Sequence, residues 1–545
     1  MSALNAALAG SAPPVARTVT SERILRARSE ARNWLTYYGA YDGQRFSTLD
    51  QINTTNVANL RPAWTFQFAP IGLIVTPATY SFEAAPIVVD GVMFVSGWEG
   101  YVWALDAATG RQLWMYKHEI PLDVPMCCGN VNRGVAVANG KVYFATQNGH
   151  MVALDATNGK RVWQTVFADI RAGESATVAP LVVKNLVIVG SSGGEYGVRG
   201  HIDAFDLETG RRVWRRYAVP KPGEPGSETW PADAWARGGG TAWITGTYDP
   251  ELDLLYWGTG NPGPLFDGGP RPGNNLYTSS VLALDPDDGS IRWHYQWTPH
   301  DVWDYDGVNE NILFEQDGRR LLAHFDRNGH LFILDRTNGQ FVRAVPFGRV
   351  TWGSIDPRTG AVTRRLEPTP EGVDICPGPA GAKEWPHASY SPRTQLLYTP
   401  VVEACGRFKR GPTVYREGLY YLGGDVDVRP HEQWGEVKAI DPRTGRQVWS
   451  HRFEHPIVAS ILTTAGDLVF AGEPNGMAHA FHARTGQRLW SYNTGNGIHS
   501  NPVTYSVGGK QYVAIPSGWG GWVDGFAPEM FGAPRGTALH VFALP

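Results

Sequence analysis

Apolar and polar positions alternate along most of the chain in short runs, and one phrase keeps returning: apolar residues, an Asp, a turn closed by Gly, then a strand ending in Trp. It is seen at Asp106, Gly110 and Trp114, at Asp155, Gly159 and Trp163, at Asp206, Gly210 and Trp214, and at Asp285, Gly289 and Trp293. It continues at Asp335 and Gly339, at Asp441, Gly445 and Trp449, and at His482, Gly486 and Trp490. Alternation on both sides of such a turn predicts a β-hairpin, with the Asp capping the turn and the Gly supplying a positive φ. Neighbouring copies lie roughly 50 residues apart, enough for about four short strands, the size of a propeller blade. Two intervals are longer. One holds a Gly/Pro-rich insertion, PKPGEPGSETWPADAWARGGG, and the other is read as a degenerate blade around Leu397-Tyr398-Thr399-Pro400.

The pattern therefore predicts an all-β fold, an eight-bladed β-propeller forming a single domain over residues 33–545 behind an N-terminal tail, 1–32. An open sheet edge invites aggregation, so the ring needs its two ends to pair. Trp64-Thr65-Phe66-Gln67-Phe68 and the segment from Leu539 to Leu544 are the expected partners. The repeated Trp residues are expected to pack between neighbouring blades.

Composition supports short strands and many turns: 64 Gly, 39 Pro and 21 Trp in 545 residues. A net charge of −4 leaves no electrostatic footprint for nucleic acid. No apolar run approaches the roughly 20 residues that a membrane span requires. The first residues lack a basic stretch followed by an apolar core, so they do not read as an intact signal peptide. The protein is then either cytoplasmic or periplasmic with its leader removed or replaced. Four cysteines, Cys127, Cys128, Cys376 and Cys405, suit two disulfides and an oxidising compartment, with four buried thiols as the alternative.

The densest chemistry lies between Thr298 and Glu310, TPHDVWDYDGVNE. Asp301, Asp304 and Asp306 repel one another unless something positive sits among them, most simply a metal ion. In an extended chain Asp304 and Asp306 would share a side, with Tyr305 opposite. A loop could converge them too. A solvated acidic turn is the plainer reading of this stretch by itself.

Four motifs in order, CCGNVNRG, SSGGEYGVRG, GTGNPGP and HDVWDYDGVNE, make the chain resemble the quinoprotein alcohol dehydrogenases dependent on pyrroloquinoline quinone (PQQ). The resemblance runs from Asn33 to Gly521. It implies a vicinal disulfide, Cys127 with Cys128, lying against the quinone, and a structural disulfide between Cys376 and Cys405. Arg133 would pair with a cofactor carboxylate, a task suited to a planar guanidinium. Glu83, Thr177, Ser192, Gly193 and Gly194 would supply further cofactor contacts, and Trp243 the floor on which the quinone stacks. One departure stands out: Glu384 occupies a position where many relatives have an asparagine near the cofactor.

The same resemblance implies Glu195, Asn261 and Asp304 as metal ligands. Asp306 is the feature that accompanies lanthanide-dependent members, so a lanthanide(III) is favoured over Ca²⁺, which stays open. Three carboxylates balance a trivalent ion better than a divalent one. The implied reaction is oxidation of an alcohol to an aldehyde or ketone by metal-assisted hydride transfer to PQQ, with Asp304 as general base and Arg327, which the resemblance also implies as a cofactor contact at the quinone carbonyl, stabilising developing charge. No C-x-x-C-H occurs in the sequence, so a separate electron acceptor such as cytochrome c is expected, in the periplasm. The rival is a non-catalytic eight-bladed scaffold or assembly factor, which needs no adjacent cysteines and no convergent oxygen ligands.

Overall fold

The computed structural model describes residues 19–68, 81–121, 123–428, 432–525 and 531–545; residues 1–18 of the expected tail lie outside them. The fold is a β-propeller. The described residues contain seven four-stranded sheets and one five-stranded sheet, most of them antiparallel meanders of consecutive strands; in the five-stranded one Phe46–Ser47 adds a parallel edge beside Leu462–Thr464. In the first, Ile87–Val89, Val92–Ser96, Tyr101–Asp106 and Gln112–Lys117 pair in sequence order. The repeated phrase is the hairpin between the last two strands of such a sheet. Asp106 Oδ1 accepts from the Ala108 and Thr109 amides, and Gly110 takes a φ of 75°.

The repeats stitch neighbouring sheets together. A Cβ on Gly110 would come within 2.5 Å of the Trp64 ring, and one on Gly159 within 2.7 Å of Trp114. Gly210 rests likewise on Trp163, Gly289 on Trp214, Gly339 on Trp293 and Gly486 on Trp449. The indole of Trp114 also donates to Ala156 O at 3.0 Å, and that of Trp490 to Leu60 O at 3.3 Å. Apart from Trp490, which meets Leu60 before the closing sheet, each Trp thus lies on the turn of the following sheet, a flat apolar face against a residue with no side chain. The copy at Asp335 has no Trp, and Val345 fills its place against Gly445.

The ring closes where the chain ends meet. Arg61–Gln67 pairs antiparallel with Thr537–Ala543, with Thr65 opposite His540 and Phe66 opposite Leu539. This closing sheet is the one without the repeated phrase. The stretch around Leu397 does not form a separate degenerate blade: Leu396–Glu403 is the second strand of the sheet that carries the Asp441 hairpin. The long interval is filled instead by an insertion, a two-stranded ribbon, Gly353–Ile355 with Val362–Arg365, and a three-stranded sheet, Val373–Ile375, Gly406–Arg410 and Gly424–Asp427. Its strands alternate like those of a blade, which is why spacing alone misplaces it. Residues just before the ring are anchored to it: Val19, Ile24 and Ala27 are buried in the main core, and Arg23 bridges Glu30 and Asp90, both at 2.8 Å.

Candidate active site

In each meander the links from second to third strand, and from the last strand to the next sheet, emerge at the end opposite the Asp-turn-Gly hairpins. The site residues sit on those links. Glu83, Arg133, Thr177, Trp243, Asp304, Asp306 and Glu384 precede the first strand of a sheet, while Ser192, Glu195, Asn261 and Arg327 follow a second strand. They converge on a cavity of about 340 Å³. Cys127, Cys128, Arg133, Thr177, Ser192 and Gly193 line it, as do Glu195, Trp243, Asp304, Asp306, Arg327 and Glu384. Glu83, Gly194 and Asn261 stand directly behind that surface.

On one side Cys127 and Cys128 form a disulfide, and Cys128 has a φ of 68°. Tyr196 and Val198 pack against the pair. The Glu195 carboxylate lies within 4.8 Å of both sulfurs, which as a disulfide cannot act as thiolate ligands. Arg133 is held flat between two indoles, 4.8 Å from the Trp243 ring centre and 4.7 Å from that of Trp385. Its Nη2 reaches Glu83 Oε2 at 2.9 Å and its Nη1 donates to Thr177 Oγ1 at 2.6 Å. Thr177 Oγ1 in turn meets Ser192 Oγ at 3.0 Å. Burial pushes the Glu83 carboxyl above its ordinary range, against the opposing pull of Arg133. Gly193 is required here: with a φ of 100°, a Cβ would lie 2.0 Å from Gly173 O.

The other side is acidic. Arg327 is its one close cation among the described residues: Nη1 donates to Asp306 Oδ2 at 2.8 Å, Nη2 lies 3.5 Å from Asp304 Oδ2, and Nη1 lies 3.8 Å from Glu384 Oε1. Its Nη2 also donates to Pro379 O. Asp306 Oδ1 accepts from the Asn261 amide at 2.5 Å. One guanidinium serves several carboxylates, and their affinities for protons show the imbalance. Burial raises Glu195 to about 7, with Asp306 adding to it. Burial also holds Asp304 well above the carboxylate range, opposed by Arg327 and reinforced by Asp306, Glu195 and Asp301. Asp306 is raised by burial too, less so because Arg327, the Asn261 amide and the Trp243 indole favour its charge.

Two details point to a cation. Asn261 Oδ1 is buried and accepts no hydrogen bond, a rare condition for a buried amide oxygen. A Cβ on Gly194 would lie 3.3 Å from that oxygen, so Asn261 borders the turn that carries Glu195. Oxygen atoms short of positive partners are the donor set for a hard cation.

The structure corrects the local reading of the acidic stretch. Residues 301–306 are not a strand, and Asp304 has a φ of 68°; a loop, rather than two-residue alternation, brings Asp304 and Asp306 to one cavity. Asp301 is apart from them in role. Its two oxygens accept from the Trp303 amide at 2.9 Å and the Tyr305 amide at 2.8 Å, so it folds the loop. Cys376 and Cys405 form the second disulfide, and no cysteine among the described residues is free, which removes the four-thiol alternative. Sequence reasoning missed the group beneath the loop: Glu310 with Lys383 Nζ at 2.8 Å, His387 Nδ1 at 3.3 Å and the Ala388 amide at 2.8 Å. The only signal was a basic residue beside Glu384 in an otherwise apolar segment.

A ring of antiparallel sheets with a disulfide, a stacked arginine and an acidic oxygen cluster at one mouth defines a propeller enzyme built for a flat redox cofactor and a metal. Comparison with known proteins makes this specific. Residues 34–363 and 433–513 match the PQQ family described as glucose/ethanol/alcohol dehydrogenase, β-propeller domain. The chain is 39% identical to quinoprotein alcohol dehydrogenase PedH of Pseudomonas putida, over 97% of this chain and 93% of that one. It is 38% identical to the lanthanide-dependent methanol dehydrogenase of Methylacidiphilum fumariolicum, over 92% of this chain and 87% of that one. Its fold superposes on a europium-containing methanol dehydrogenase with a TM-score of 0.88 at 36% identity, covering 96% of this chain and 100% of that one. The chain belongs to the PQQ-dependent quinoprotein alcohol dehydrogenases. It is an enzyme that oxidises alcohols with PQQ and a metal ion, and the scaffold reading falls away.

Proposed function

We propose that Glu195, Asn261, Asp304 and Asp306 hold one metal ion, and that PQQ stacks between Trp243 and the Cys127–Cys128 disulfide. The buried, unpartnered Oδ1 of Asn261 carries this reading. Arg133 would meet a cofactor carboxylate while Trp385 and Glu83 keep its plane and charge in place. Thr177 and Ser192 offer hydroxyls, and Gly193 and Gly194 allow close approach of a flat ring. When bound, the quinone supplies the two-electron acceptor and the cation polarises it.

The chain does the rest. Asp304 Oδ2 takes the proton of the substrate hydroxyl as the carbinol hydrogen leaves with its electron pair. Arg327 keeps Asp304 and Asp306 oriented and stabilises negative charge that grows in the cavity. Three ligand carboxylates favour a lanthanide(III), the ion class named for two relatives, over Ca²⁺. Each of the eight sheets is one blade of a single domain spanning residues 33–545. Both disulfides support a periplasmic site of action, and a separate cytochrome c is the expected electron acceptor. No helix among the described residues is long and apolar enough to cross a membrane.

The test is reconstitution with PQQ and either La³⁺ or Ca²⁺, following dye reduction by a panel of alcohols. Asp306→Ala should lose most La³⁺-supported activity. A variant that keeps it sinks the assignment of Asp306 as a ligand.

A further inference from the structure

The cavity has two unlike walls. Beside the charged groups its lining includes Leu265, Phe266, Leu422, Val426, Val428 and Trp522, with Asp425 the one carboxylate in that part of the lining among the described residues. This apolar wall comes mostly from outside the ring: Leu265 and Phe266 follow the loop that carries Asn261, and Val426 lies on the insertion strand Gly424–Asp427. It is pre-built. The Phe266 amide donates to Leu422 O at 2.7 Å, Thr413 Oγ1 donates to Asp267 Oδ2 at 2.7 Å, and the Phe266 and Phe408 rings stand 5.8 Å apart. Leu265, Phe266, Ile375 and Phe408 share one buried cluster, with Leu422 and Val426 packed against it. The Cys376–Cys405 disulfide ties the insertion strand that precedes Cys376 to the one that follows Cys405.

Nothing in the polar chemistry of the site uses this wall. A cofactor with polar edges finds its partners in Arg133, Thr177, Ser192 and the cation ligands, which leaves the apolar surface to the other reactant. We propose that it receives the hydrocarbon body of the substrate, so that the preferred alcohols carry about six or more carbons rather than one or two. This rests on the assignment above of the charged wall to cofactor, metal and base. Removing a methylene from water into such a wall is worth about fourfold in kcat/KM, because it stabilises the transition state as well as the bound substrate.

The test uses the full-length enzyme loaded with PQQ and La³⁺. kcat/KM should rise from ethanol through 1-butanol to 1-hexanol by about two orders of magnitude overall. A tertiary alcohol has no carbinol hydrogen to give up, so binding can be read without turnover. 2-Methyl-2-hexanol should inhibit ethanol oxidation competitively and at least tenfold more strongly than tert-butanol. Leu422→Asn and, separately, Val426→Asn should each shrink the hexanol-to-ethanol ratio and the inhibition ratio by about tenfold; two variants guard against one that fails to fold. A flat or falling alcohol series, equal inhibition by both tertiary alcohols, or variants that lower ethanol and hexanol alike would overturn the proposal and leave alcohol oxidation standing. No turnover of any alcohol would instead strike the underlying assignment of the charged wall.

Discussion

The middle and the end of one thirteen-residue segment hold buried carboxylates whose environments move them in opposite directions. In the middle burial lifts Asp304 well above its ordinary range, because Arg327 at 3.5 Å is outweighed by burial and by neighbouring Asp306, Glu195 and Asp301. At the end burial acts on Glu310 in the same sense, yet Lys383 and His387 overcome it and bring Glu310 down to about 2. His387, itself held at about 4 by burial, places Nδ1 toward Glu310 and Nε2 on the Tyr37 hydroxyl at 2.8 Å. The difference separates structure from chemistry. Glu310 already has its partners and locks the loop, whereas Asp304 and its neighbours wait for a positive charge and a proton.

The comparison can be broken from the Asp304 side first. Asp304→Asn should lower kcat by about 10²–10⁴-fold with little change in the unfolding midpoint, measured by dye-linked turnover and thermal melting. A variant with normal kcat would remove Asp304 from the reaction. Next in size, Lys383→Met leaves the Glu310 charge in the interior without its cationic partner at 2.8 Å, and should destabilise the protein by about 3–5 kcal/mol whether or not metal is present. Combining it with Glu310→Gln should recover most of that loss in denaturant melts.

A smaller effect is a slope with pH. Glu384 is raised to about 7 chiefly by burial, with Arg327 and Arg133 opposing, so the folded state holds its proton more tightly than the unfolded chain does. Its contribution therefore favours folding less as pH rises from the ordinary carboxylate value of about 4.5 toward 7. Glu384→Gln should flatten that decline in the metal-free protein. Glu310 has the reverse sign: its contribution is full above about 4.5 and is lost as pH falls toward 2. The paired change Glu310→Gln with Lys383→Met, which strands neither charge, should remove the acid-side loss. Smallest of all, Asp206→Ala in a repeat turn, where Oδ1 accepts from the Thr209 amide at 2.8 Å, should cost about 1 kcal/mol and leave turnover unchanged.

The blades were legible because each hairpin is a local object: Asp, turn, Gly and Trp lie within nine residues of one another, as at Asp106 and Trp114. Closure was legible from the need to pair an edge, and Phe66 does face Leu539. The insertion between Asp335 and Asp441 was not, since its strands alternate as blade strands do. Within the acidic stretch the sequence presents Asp301, Asp304 and Asp306 as equals. Only the fold shows that Asp301 uses both oxygens on backbone amides, and that Asp304 needs a left-handed φ to face the cavity. Glu310 and Lys383 are 73 positions apart, so no local pattern could announce their pairing. The apolar wall was equally hidden, because Phe266 and Leu422 meet only after the insertion folds over the ring.

The strand at Arg61–Gln67 finds its partner far along the chain in Thr537–Ala543, where Thr65 faces His540 across a separation of 475 positions. The circle cannot lock until both strands exist, and the cavity gathers side chains from Cys127 to Trp522. Its prosthetic group therefore meets a finished vessel rather than a half-built one, so loading of the cofactor follows closure of the ring.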